Sequence, residues 1–522
     1  MTKDQYNPIE KADLEERERF DSLGEEDKKQ EVDRLHEKAL VENADSFYKM
    51  LKEEIVPEKK EELELALKVC EAVKESGGLA LVVGGFARDA TLDKFGYNLK
   101  PKDIDIEVYG IEHDKLKDIL EKLGRIDIVG ESFQVFKLNG SLDISIPRRD
   151  SKIGKGHKGF KVEGDPGMFI KEAAKRRDFT INALALDPLT GEIIDFYGGV
   201  EDIKNKTLRA TDRETFVEDP LRVLRAMQFA ARFGFNIDDE TKELCRALDL
   251  KELSKERIGE EWMKLLMKAP KPSIGLEAAL ELGVLDQLHP EIKAMIGVPQ
   301  NPIYHPEGDV WTHVKMVIDS AAELAGEQGL GDEDKKILML AALCHDLGKP
   351  ISVTTDETGK ITSRGHEDTG IEPAQKVLDM LFIKKDLAER VLKLVKHHMF
   401  IHNNSEPGDS AIRRLASKVY PGTIKELANL ATADKRGTGQ GVRDYDKADD
   451  ILKRAEELSV QESKPTPLIM GRDLLEIGFK PGPKIGEVLK EIEELQLEGN
   501  ITTSEQAKEY ARRKIEAKIE KV

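Results

Sequence analysis

The sequence predicts an α+β protein: a mixed α/β segment over about residues 64–206, followed by a remainder that is almost entirely helical. Apolar runs of strand length recur at Leu79–Val83, Ile104–Val108, Phe133–Leu138 and Leu142–Ile146, separated by glycines and charged residues. Beyond about residue 207 the apolar positions repeat with helical spacing, and only proline-containing stretches at 269–273, 299–306 and 464–467 interrupt it.

A chain of 522 residues exceeds what one hydrophobic core supports, so about three or four compact units are expected. Charged residues are spread along it with only local runs, which suits a globular protein rather than a disordered one. The longest apolar stretches are too short to cross a bilayer, and charges stand where a secretory signal would be apolar, so neither export nor membrane insertion is expected. Cys70, Cys245 and Cys344 have no paired spacing for zinc or a disulfide framework, which favours a reducing, cytoplasmic setting. A net charge of −19 excludes a protein that coats nucleic acid non-specifically. Between Arg148 and Arg177, however, ten Lys/Arg stand against four Asp/Glu, and this local excess of +6 suits either phosphates or a solvated loop.

Residues 1–63 are dense in Glu and Lys and read as a helical N-terminal extension without a chemical motif. A helix through Leu65–Val73 leads to Ser76-Gly77-Gly78, the strand Leu79–Val83, and then Gly84-Gly85-Phe86-Ala87-Arg88-Asp89 opening a second helix. Free N–H groups at such a helix start receive phosphate oxygens, glycine lets them approach, and Arg88 adds a forked cation one turn on. A simple tight turn would carry the same pair of glycines. In Lys102-Asp103-Ile104-Asp105-Ile106, strand alternation sets both carboxylates on one face. Like charges so placed call for a cation, and Mg²⁺ shared with a triphosphate answers that need. A solvent-facing edge strand is the bland alternative, weakened by the Gly-Gly turn and Arg88 shortly before. Asp143 is a candidate third carboxylate whose face the sequence leaves open.

These residues resemble the class II CCA-adding enzymes and the related bacterial poly(A) polymerases of the DNA polymerase beta superfamily. Gly84 to Asp89 with Asp103 and Asp105 resembles the first motif, and Arg176-Arg177-Asp178-Phe179-Thr180-Ile181-Asn182-Ala183 the second. Asp195 to Gly199 and Glu218-Asp219-Pro220-Leu221-Arg222-Val223-Leu224-Arg225 follow in family order over about 79–235. The resemblance implies that Asp103 and Asp105 are catalytic and bind magnesium. It implies that Gly84, Gly85, Arg88 and Arg177 contact triphosphate and sugar, with Arg225 also binding the nucleotide. Asp219 and Arg222 would complement the exocyclic amine and ring nitrogen shared by cytosine and adenine. Asp219 before Pro220 is equally an ordinary helix cap. Arg222, Arg225 and Arg232 share one helix face; Gln228 stands outside the site. The implied reaction is attack of an RNA 3′-hydroxyl on the α-phosphorus of CTP or ATP with release of pyrophosphate, and Lys152–Lys161 resembles the family's flexible loop.

Further along, His313, His345-Asp346 within Leu343-Cys344-His345-Asp346-Leu347-Gly348-Lys349, and Asp434 resemble, in that order, the HD phosphohydrolase pattern; His366 and the pair His397-His398 add candidates. Imidazole with carboxylate suits a divalent transition metal better than magnesium. Such a domain would hydrolyse phosphate esters or only stiffen the body. The organisation expected is an extension (1–63), a nucleotidyltransferase head (64–206), a neck (207–270), a connector (271–304), an HD domain (305–440) and a helical tail (441–522). In the tail, Pro481-Gly482-Pro483 is either a phosphate-holding helix start or a connector. The expected partners are RNA, foremost tRNA, with CTP and ATP; no membrane or protein partner is implied. Gly130-Glu131-Ser132-Phe133 lacks the basic run associated with the poly(A) branch and favours CCA addition. Poly(A) polymerase, partial CC or A addition, and a phosphohydrolase with an RNA-binding head are the alternatives.

Overall fold

The computed structural model describes residues 40–43, 57–97, 99, 103–129, 135–152, 160–404, 406–441 and 445–519. Lys102, the stretch 130–133, the middle of the basic loop (153–159) and most of the N-terminal extension lie outside the described residues. Two compact units emerge: residues up to Arg222 together with Asn236–Ala247, and Val223–Phe235 together with Leu248–Val522.

In the first unit β1 (Leu40–Asn43) and α1 (Pro57–Glu75) precede the strand β2 (Leu79–Val83). Leu81, Val82 and Val83 of β2 are all buried, as a strand covered on both faces requires. It runs into α2 (Gly85–Lys94) through Gly84 at φ 70°, a backbone region that glycine enters without steric cost. Next come β3 (Ile104–Tyr109), α3 (His113–Glu121), β4 (Ile126–Val129), β5 (Val135–Leu138) and β6 (Leu142–Ser145). The ribbon β7 (Arg148–Lys152) and β8 (Phe160–Gly164) stands apart, and α4 (Ile170–Lys175), β9 (Ala185–Leu186) and β10 (Glu192–Ile194) follow. The mixed sheet has the order β1-β10-β9-β2-β3-β6-β5-β4. The N-terminal segment, expected to be helical, thus supplies an edge strand, with Leu40 opposite Ile194. Within β3, Ile104, Ile106 and Val108 enter the core while Asp105 and Glu107 alternate onto the half-buried face. The parallel pairing of β3 with β6 sets Asp143 directly beside Asp105.

Helix α5 (Leu221–Phe233) starts in the first unit and continues in the second. The second unit continues with α6 (Lys255–Lys268), α7 (Pro272–Glu281), α8 (Val310–Glu327), α9 (Asp332–Cys344), α10 (Lys385–His397) and α11 (Ile424–Arg436). Every residue of α9 from Ile337 to Cys344 is buried, the pattern of a helix apolar all round. Helices α6, α8, α10 and α11 enclose it accordingly. The C-terminal α12 (Gly471–Ile477), α13 (Pro483–Glu498) and α14 (Ser504–Ile519) form a separate cluster around Leu474, Phe479, Val488, Ile492 and Ala507.

His289 is fully buried edge-on to Trp262, with ring centroids 4.7 Å apart, and neither of its ring nitrogens has a hydrogen-bond partner. Burial therefore pushes its pKa down to about 3. The unfolded chain takes up this proton near the ordinary histidine value while the folded one does not, so this contribution to stability is complete above pH 6.5 and lost as pH falls toward 3. In denaturant unfolding followed by fluorescence of the two tryptophans, Trp262 and Trp311, His289→Leu is expected to gain about 2 kcal/mol relative to the parent between pH 7 and pH 5.

Candidate active site and metal centre

The first constellation is organised by Gly84. A β-carbon built there would lie 3.4 Å from Arg177 Nη1 and 3.5 Å from Asp105 Oδ2, ordinary contact distances, so a cation and a carboxylate both border the turn, and it is the positive φ that calls for glycine. Burial raises the Asp105 pKa most; Arg177 opposes this, and Asp143 and Asp103 add to it. Asp103 is exposed just before β3, and Asp143 holds Lys137 at 3.0 Å. Glu107, on the same face, accepts from Tyr109 Oη at 2.7 Å and lies 3.7 Å from Arg177.

Arg88, expected to reach phosphate, is buried and engaged. Its Nε donates to Asp89 at 2.7 Å and its Nη1 to Asn182 at 2.8 Å, and Asn182 donates in turn to Asp178. It thereby fastens the first motif to the second. Arg222 similarly donates to the carbonyls of Thr215 and Arg176, each at 2.6 Å. Asp219 accepts from Leu221 N at 3.1 Å, the capping geometry. Asp195 accepts from the amides of Tyr197, Gly199 and Val200, shaping the turn that starts the helix Gly199–Lys204. Arg225 belongs to the second unit, where its guanidinium lies 5.1 Å from the Phe229 ring; Gln228 is buried in the same unit.

The second constellation lies where helix ends converge. His313 comes from the first turn of α8, His345-Asp346 follow the last residue of α9, His398 follows α10, and Asp434 sits in the last turn of α11. The C-termini of α9, α10 and α11 bring partial negative charge to one place, which favours a cation there. Nδ1 of His345, His366 and His398 faces the carbonyl three residues earlier, at 2.9, 2.8 and 2.6 Å. Each Nε2 is thus turned inward. Asp346 Oδ2 lies 3.2 Å from His345 Nε2 and 3.6 Å from His313 Nε2, and Oδ1 lies 3.3 Å from His366 and 4.0 Å from His398. Asp434 reaches His313 at 3.0 Å and, with its other oxygen, His402 at 3.0 Å. Lys349 Nζ lies 2.6 Å from Asp346 and donates to Gln300 at 2.6 Å.

Both oxygens of Asp346 are buried without a hydrogen bond of good geometry, although cations and imidazoles surround them. Burial alone would raise its pKa, but His345 and Lys349 outweigh that and hold the group well below the usual carboxylate range. Among the described residues, His313, His345 and Asp346 form one set of donor atoms mutually within 4.8 Å, and Asp346, His366 and His398 another. Nitrogen and oxygen donors so arranged fit a divalent transition metal, with Asp346 able to serve two ions. Of the expected pair it is His398 that turns inward. His305, Glu307 and His402 escaped sequence reasoning, although His402 stands one helical turn after His398 and that spacing is a readable signal.

The family descriptions that match are "Poly A polymerase head domain" over residues 80–209, "Probable RNA and SrmB- binding site of polymerase A" over 234–296, and "HD domain" over 310–460. The chain is 36% identical over 374 residues to the multifunctional CCA protein of Stenotrophomonas maltophilia, which covers 69% of this chain and 87% of that protein. It is 34% identical over 422 residues to the multifunctional CCA protein of Xanthomonas campestris, covering 78% and 95%. Among solved structures, the Bacillus stearothermophilus CCA-adding enzyme in complex with CTP is similar in fold at TM-score 0.60 and 18% identity, covering 90% of this chain and 100% of that one. The Thermotoga maritima CCA-adding enzyme complexed with tRNA is similar at TM-score 0.53 and 21% identity, covering 91% and 99%.

A β-carbon on Gly348 would fall 2.0 Å from the His366 carbonyl oxygen and 2.6 Å from Gly370 N, backbone atoms that cannot yield cheaply. Gly348→Ala is therefore expected to spread the two donor sets and weaken Co²⁺ binding at least about tenfold by calorimetric titration. His313 is held as an imidazolium with its pKa raised to about 9, since Asp434 and Glu307 outweigh the opposing effect of burial. That raised value adds stability that is complete below pH 6.5 and lost as pH rises through 9, and an entering cation must displace the proton. Co²⁺ affinity should therefore rise about tenfold from pH 7 to pH 8.

Proposed function

We propose, from the premise that the chain belongs to the family of the multifunctional CCA proteins, that it builds CCA on the 3′ end of tRNA from CTP and ATP without a nucleic-acid template, releasing pyrophosphate. The observation that carries this reading is the approach of Asp105 and Arg177 to the same face of the Gly84 turn.

On this reading Asp103 and Asp105, with Asp143 in register beside Asp105, hold magnesium, and Gly84 and Gly85 offer a bare helix start to the triphosphate. Divalent ions at that place supply neutralising charge to the departing pyrophosphate and acidify the attacking hydroxyl. Arg177 binds the phosphate chain, and Arg88 acts by keeping the turn in place through Asp89 and Asn182. Asp219 and Arg222, anchored at the start of α5, read the amine and ring nitrogen common to cytosine and adenine. Arg225 is assigned to the nucleotide on the family pattern alone.

The converging imidazoles around Asp346 favour a second activity, hydrolysis of phosphate esters at nucleotide or RNA ends with a divalent transition metal held by His313, His345, Asp346 and Asp434. Asp346 bridging toward His366 and His398 gives room for two ions. No helix among the described residues is long and apolar enough to cross a membrane; the three buried free cysteines favour a reducing, cytoplasmic setting.

The test supplies tRNA ending before CCA together with labelled CTP, ATP, UTP or GTP, followed by sequencing of product ends. Addition should stop after CCA with the parent protein and fall about a thousandfold or more in Asp105→Ala, the loss of several kcal/mol of transition-state stabilisation. A long A tract would make the protein a poly(A) polymerase, and full incorporation by Asp105→Ala would remove the transferase reading.

A further inference from the structure

We propose that Glu307 is a positioning residue: it fixes the ring orientation and tautomer of His313 so that Nε2 faces Asp346 and Asp434. The inference rests on the reading of the second constellation as a divalent-metal site.

Three of the imidazoles in that constellation solve the orientation problem in the same way, with Nδ1 facing the carbonyl of the residue three positions earlier. His345 and His398 stand just past the end of a helix, where carbonyls lack an intrahelical partner, and His366 opens the short helix His366–Thr369 and faces a carbonyl of the loop before it. His313 cannot use this device, because it lies in the first turn of α8, where carbonyls point into the helix and serve its own amides. Its Nδ1 instead meets Glu307 Oε1 at 2.7 Å, brought in from the loop before the helix. The same oxygen meets His305 Nδ1 at 2.9 Å, and the His305 ring stands edge-on to His313 at 4.8 Å between centroids. The Glu307 side chain is only 2% exposed, so its charge is removed from water and directed to these two rings.

A carboxylate behind a ligating histidine decides which ring nitrogen carries the proton and stops the ring from turning. His305, Glu307 and His313 could alternatively be taken as ligands of an ion of their own, since their donor atoms lie within 4.8 Å of one another. His305 Nδ1 hydrogen-bonds that oxygen at 2.9 Å and His313 Nδ1 lies within ion-pair distance of it at 2.7 Å, and an ion there would require His313 to ligate through both nitrogens. The clamp is the simpler use of this geometry.

The test uses the full chain freed of metal and titrated with Co²⁺, read by calorimetry and by the visible absorption of the bound ion. Glu307→Leu should weaken binding 10–100-fold and shift the absorption band, while CCA addition stays near the parent's. Glu307→Gln, whose side-chain carbonyl still accepts from Nδ1, should recover most of the affinity. Parent affinity and spectrum in Glu307→Leu would overturn the proposal, as would equal loss in the Gln and Leu variants. Loss of one bound equivalent with the remainder unchanged would instead make Glu307 a ligand. If the parent and Asp346→Ala take up Co²⁺ alike, the metal reading itself fails and the clamp with it.

Discussion

Carboxylates withdrawn from water beside one another are tolerable only when positive charge is delivered to them, and both candidate sites of this protein are built around that constraint. Asp105 stands in register with Asp143 on a half-buried sheet face, with Arg177 beside the same glycine turn. Asp346 lies deeper, at 1% exposure, and collects four imidazoles and Lys349. The desolvation of an isolated carboxylate at such a depth would cost several kcal/mol, so the surrounding cations and any ion they exchange for are part of the fold's stability as well as of its chemistry.

The two places solve the problem with different scaffolds. In the α/β unit, strand alternation aligns the acids, and the arginine of the second motif comes beside the positive-φ glycine of the first. Arg88 and Arg222 take no free position there; each ties one motif to another through Asn182 or through backbone carbonyls. In the helical unit, the central apolar helix α9 ends in His345-Asp346, and neighbouring helices bring their negative ends to the same spot. Gly348 against Gly370 then holds the His366 turn close to that end.

Much of this was legible in advance. Leu79–Val83 followed by Gly84-Gly85 specified a strand, a turn and a helix, because apolar continuity and paired glycines leave few other local structures. Asp103 and Asp105 declared themselves by spacing, as did His345-Asp346 by motif. Asp143 could be named but not oriented, since its face depends on which strand it joins and in what register. Arg88 was read as a free cation because nothing local reveals that Asn182, ninety-four positions away, accepts its hydrogen bond. Glu307 and His305 carried no motif at all; their meaning comes from the proximity of His313.

From its sequence alone, this protein was determined to be an α+β head on a helical body, since periodicity is a local property, and resemblance to a known family added the transferase reading, with two acids near a glycine turn and ordered histidines as candidate sites. Which carboxylate stands beside which, which arginines are already bound, and how each imidazole is turned were decided only by the tertiary structure. Those choices depend on hydrogen bonds and registers between residues far apart in the chain, and no local pattern encodes them.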